Sequence, residues 1–62
     1  MTKKLRAKLK KELKSMLNDA KIHSPKDRIK DVYVTGAAFF IKINDLNEKD
    51  AFPLIEEVWK LQ

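Results

Sequence analysis

Apolar residues recur along the first third of the chain at helical intervals. Leu5, Leu9, Leu13, Met16 and Ala20 are spaced by four and three residues, which predicts a helix over residues 2–21. At 100° per residue the five fall within about 80° of arc, a narrow stripe that Leu17 widens on one side. Thr2 suits the N-cap, and Pro25 restricts Ser24 and stops the helix ahead of it. Residues 28–43 alternate differently. Two arms, Arg28 to Val34 and Phe39 to Ile43, are rich in β-branched and aromatic residues, and the single Gly of the chain, Gly36, lies between them. This predicts an antiparallel hairpin. A four-residue loop, Thr35 to Ala38, pairs Val34 with Phe39, Tyr33 with Phe40, Val32 with Ile41 and Asp31 with Lys42. A two-residue Thr-Gly loop changes the partners and keeps the faces. A bulge near Lys30 or Asp31 accommodates Ile29 and Lys30. Residues 47–61 read as a second helix with Asn47 as N-cap and Glu48 and Asp50 in an acidic first turn. Pro53 either opens that helix after a short turn or kinks it. Phe52, Leu54, Ile55, Val58, Trp59 and Leu61 supply its apolar face.

The expected fold class is therefore α+β: helix, two-stranded antiparallel hairpin, helix (αββα), as one domain over residues 1–62. An isolated hairpin is marginal. Joining strand edges across a two-fold axis would complete a four-stranded sheet, so homo-oligomerisation is expected.

Composition sharpens this. With 62 residues, no Cys and one His, the chain has no disulfide and no thiolate or multi-histidine metal site to hold a small core. No cofactor and no metal are expected. Asp45, Asn47, Lys49 and Glu56 echo a calcium loop, but Lys49 sets a cation where a ligand belongs and Asp50 stands where the loop needs Gly. His23, with Asp19 one turn back, suits a helix cap. Ser15 and Ser24 are the only serines and fit no triad. These absences argue for a binding protein and against an enzyme. Absence of Cys suits a reducing, cytoplasmic setting. The charged helical pattern after Met1 argues against a leader, and no apolar run reaches membrane-spanning length.

Charge then singles out one element. Residues 1–21 hold eight Lys/Arg and two acids, while residues 22–62 hold six Lys/Arg and seven acids. Lys3, Lys4 and Arg6 occupy the helix end where acids are preferred. Six like-charged pairs fall at contact spacing: Lys4–Lys8, Arg6–Lys10, Lys10–Lys14, Lys3–Arg6, Lys8–Lys11 and Lys11–Lys14. At about 0.2–0.5 kcal/mol each, they oppose folding by about 1–3 kcal/mol before screening. A polyanion would relieve the repulsion. The expected function is nucleic-acid or nucleoprotein binding, with Lys3, Lys4, Arg6, Lys8, Lys10, Lys11 and Lys14 on phosphates. Two blander readings stand beside it. The lysines are a solvated face, or they attract the acidic stretch 45–62 internally.

Tyr33 and Phe40, with Lys42 beside them, form a second expected interface on the outer hairpin face, able to stack bases or to meet a protein. The alternative function is a small regulator or inhibitor of the phage or plasmid type. It would bind a protein target through that aromatic face, the second helix or the basic helix. A membrane-surface role is disfavoured because the apolar stripe of the first helix lacks Trp and Phe.

Overall fold

The computed structural model describes residues 2–62, and it is all helical across them. Helix α1 spans Lys3–His23, α2 spans Ile29–Ile43 and α3 spans Glu48–Lys60; one 3-10 turn at Lys26–Arg28 leads into α2. Each helix buries one stripe against the other two. Leu9, Leu13, Leu17 and Ala20 come from α1, Tyr33, Ala37 and Ile41 from α2, and Ala51, Leu54, Ile55 and Val58 from α3. Leu17, at one edge of the α1 stripe, is buried, whereas Leu5 lies half-exposed at its outer end.

The first and third elements form where the sequence places them. Thr2 caps α1 by accepting a hydrogen bond from the Leu5 N–H at 3.2 Å. The helix ends at Ser24, ahead of Pro25. Asn47 caps α3 through Oδ1, which accepts from Lys49 N and Asp50 N. The helix starts at Glu48 and continues through Pro53. The Lys49 carbonyl, which the missing Pro53 N–H would have met, belongs to an exposed turn open to water.

The hairpin of residues 28–43 is overturned. That segment is helix α2, and the described residues contain no strand. The fold is a three-helix bundle, not αββα. The cross-strand pairs vanish, and with them the sheet edge through which a second copy was expected to join. The physical reason lies in a double pattern. Ile29, Tyr33, Ala37 and Ile41 are spaced by four, so one sequence carries both a strand-like alternation and a helical row. The β-branched residues Val32, Val34, Thr35, Ile41 and Ile43 each weaken a helix by only a few tenths of a kcal/mol. Packing Tyr33, Ala37 and Ile41 into the core outweighs that sum. Gly36 sits in mid-helix with negative φ and makes no turn.

The turn that matters lies later. Asp45 has φ 53°, in the left-handed region. Around it Leu46 N donates to Ile41 O and Asp45 N donates to Lys42 O. These are the two bonds of a Schellman cap, with Asp in the place Gly usually takes. Leu46 then folds back on the core beside Ile41.

Candidate polyanion-binding face

Seven basic residues of α1 were expected to act together, and the bundle divides them. Lys10 turns inward. Its Nζ lies 2.7 Å from Glu57 Oε1 on α3, a charge-assisted hydrogen bond between half-exposed partners. That bond, with the nearby charges of Lys10 and Arg6, holds the Glu57 carboxyl below the ordinary carboxylate range against the opposing effect of desolvation. Arg6 lies beside Lys49, Asp50 and Pro53 where α1 faces the start of α3. The pairing of basic α1 with acidic α3 is therefore realised at Lys10 and Glu57. It relieves two of the six repulsions, Arg6–Lys10 and Lys10–Lys14.

Lys4, Lys8 and Lys11 turn the other way. Their spacing of four and three puts them within about 60° of arc, centred opposite the Leu13 side of the helix. All three are exposed, as are Lys3 and Lys14 at the margin of the row. The row from Lys4 to Lys11 is about 10 Å long at 1.5 Å rise per residue. Among the described residues the ion pairs are Lys10–Glu57 and Lys30–Glu56, and none of Lys3, Lys4, Lys8, Lys11 or Lys14 enters them.

The aromatic site does not assemble. Tyr33 is 1% exposed. Its hydroxyl donates to the Ile55 carbonyl of α3 at 2.7 Å, and its ring stacks on Trp59 with centroids 6.3 Å apart. Burial first, and the Glu56 charge second, push the hydroxyl pKa up to about 12. Tyr33 is a core residue with a satisfied polar end and offers no face to a base or a partner. Phe40 is half-buried, on the wall of a shallow apolar groove of about 340 Å3 that includes Leu5, Leu9 and Leu46. Lys42 is exposed on the far side of α2 from both. A hairpin would have put the three on one face; helical spacing keeps Tyr33 and Phe40 on the bundle side of α2, where they pack with the core, and turns Lys42 away from them.

The bundle also gives several residues places that the sequence reading did not. Lys30 Nζ sits 5.5 Å from the Trp59 ring centroid and 3.8 Å from Glu56 Oε1, bridging α2 and α3 at the surface. Trp59 is half-buried and packs on the core, while Phe52 is 36% exposed on the outside of α3. Val32, Phe39 and Ile43 are exposed apolar residues of α2. Their spacing could have marked them, had the segment been read as a helix. No three His, Asp or Glu side chains converge to hold a metal among the described residues. No helix of the described residues is long and apolar enough to cross a membrane. Comparison of the chain with protein-family models, curated proteins and solved structures finds no match.

Proposed function

We propose that this chain is a small non-enzymatic binding protein that lays the outward row of α1 along a nucleic-acid backbone. One observation carries the reading: Lys4, Lys8 and Lys11 are aligned and exposed and stand outside the ion pairs of the described residues, with Glu12 one turn from Lys8 as the nearest acid in sequence, while Lys10 bonds Glu57. The row keeps a mutual repulsion that phosphates would remove. Lysine ammonium groups on phosphates give affinity without base readout, so the binding is indifferent to sequence and sensitive to salt. Lys3 and Lys14 extend the row at its margins. Lys10 leaves the contact set because Glu57 of α3 engages it, and Arg6 lies off the row, on the side of α1 that faces the start of α3. The cytoplasm, where nucleic acid abounds and cysteine-free chains are at home, is the setting this reading assigns.

The test is fluorescence anisotropy with labelled duplex DNA, single-stranded DNA and RNA at low salt. Reversing Lys4, Lys8 and Lys11 to Glu should abolish binding, while Lys10→Gln should leave most of it. Undetectable binding of the unaltered chain to every one of these probes would refute the proposal. So would equal losses from Lys10→Gln and from the triple reversal.

A further inference from the structure

Helix α2 is apolar on two sides. Its inner row of Tyr33, Ala37 and Ile41 is buried in the bundle. On another arc, Val32, Phe39 and Ile43 are 46%, 64% and 64% exposed. With Gly36 these recur at four, three and four residues, within about 60° of arc. That is the spacing of a helix packed against a further helix, and a contiguous apolar stripe left exposed marks a contact surface. A Cβ built at Gly36 meets nothing within 4 Å. Nothing inside the bundle therefore requires a glycine at this point, where a glycine weakens the helix.

We propose that this stripe is a homodimer interface, in which a second copy of the chain packs its α2 antiparallel against the first. Size complementarity is one ground. With the two-fold axis centred between Gly36 and Phe39, each Phe39 ring lies over the Gly36 of the other copy, and each Val32 faces the other Ile43. The bulkiest side chain of the stripe meets its one gap, twice, as a self-complementary interface demands.

Charge is the second ground, and it fixes direction. Asp31 and Lys42 lie on the same flank of the stripe, three turns apart, near opposite ends of α2. Neither enters the ion pairs found among the described residues. An antiparallel two-fold brings like flanks together, so Asp31 of each copy approaches Lys42 of the other. A parallel pairing would set that charged flank against Ile29 and Phe40. Arrangements that match charge in one direction only are how paired helices choose orientation.

The experiment is sedimentation equilibrium from micromolar to millimolar protein, without nucleic acid, with circular dichroism to follow folding. The unaltered chain should associate to a dimer. In dilute solution, where both chains are monomeric, Gly36→Leu should melt no lower than the unaltered chain, having open space around it and better helix propensity; at concentrations where the unaltered chain dimerises it should stay a monomer and lack the concentration-dependent rise in melting temperature. Asp31→Lys should weaken association by about fivefold or more, and Asp31→Lys combined with Lys42→Asp should recover it. The double exchange sets both charges at the wrong ends of the helix dipole, so recovered association cannot come from a steadier monomer. A chain that stays monomeric throughout overturns the proposal and leaves the face to a different occupant. So does a Gly36→Leu chain that dimerises as before, or a double exchange that associates no better than Asp31→Lys. Because α1 takes no part, these outcomes are independent of whether the lysine row binds nucleic acid.

Discussion

Tyr33→Phe removes one oxygen atom and separates the helical bundle from any structure that leaves this ring outside. The hydroxyl is buried and donates to the Ile55 carbonyl at 2.7 Å. In the variant that carbonyl still accepts from its own helix, so no buried group is orphaned and the loss is that of one ordinary hydrogen bond, about 1 kcal/mol. For a chain of this size the melting temperature should fall by about 4–8 °C at neutral pH. The alkaline limb carries the sharper test. The hydroxyl keeps its proton to about pH 12 in the folded chain, against an ordinary value of 10.0. Above pH 10 the unfolded chain loses this proton while the folded chain retains it, so the unfolded state gains. Stability is thereby lost as pH rises, by about 2–3 kcal/mol between pH 10 and 12. The phenyl ring of the variant has no such proton. The variant should start less stable, draw level between pH 10 and 11, and be the more stable protein above that. Urea melts of both proteins at matched pH values cancel the shared titration of the lysines. Equal stability at neutral pH, or curves that stay parallel through pH 11, would refute the burial and bonding of this side chain.

The other expectations follow from the same packing. Ala37 is fully buried and Gly36 faces open space within the single chain, so in thermal melts of dilute, monomeric protein Ala37→Leu should destabilise by about 1–3 kcal/mol through overpacking, while Gly36→Ala stabilises by about 0.5–1 kcal/mol. Leu13, fully buried on α1, should cost about 2–5 kcal/mol as Leu13→Ala, read from denaturant midpoints. Glu57 titrates below its ordinary value because Lys10 bonds its charged form. Its share of stability is therefore present at neutral pH and lost as pH falls through the folded value. Acid unfolding of Glu57→Gln should lack that component, and an unchanged acid profile would contradict the pairing.

Helices α1 and α3 were legible because their signals are local. Thr2, Pro25 and Asn47 act on their own turns, and the leucine spacing of α1 admits only one period. Helix α2 was not legible because residues 29–43 satisfy two periods at once, and Gly36 between two β-branched arms imitates a hairpin tip. What decides between them is the depth at which Tyr33, Ala37 and Ile41 are buried by the other helices, a property of the assembled bundle. The turn at Asp45 was hidden for a related reason: a Schellman cap announces itself by Gly, and here Asp takes the left-handed position. For the site, the charge of α1 was plain in the sequence. Its division was not, because the reach of Lys10 to Glu57 spans 47 residues and depends on how α1 and α3 pack.

The slope of binding affinity against salt tests the central claim most directly. Titrating the chain with labelled duplex DNA over a series of salt concentrations, with the logarithm of affinity plotted against that of salt, counts the phosphates neutralised. Three contacts from Lys4, Lys8 and Lys11 predict a slope of about −2.7, steeper if Lys3 and Lys14 join, and Lys8→Gln should flatten it by about 0.9. A flat plot, or a slope that the removal of all three lysines leaves unchanged, would contradict the assignment of this row to a nucleic-acid backbone.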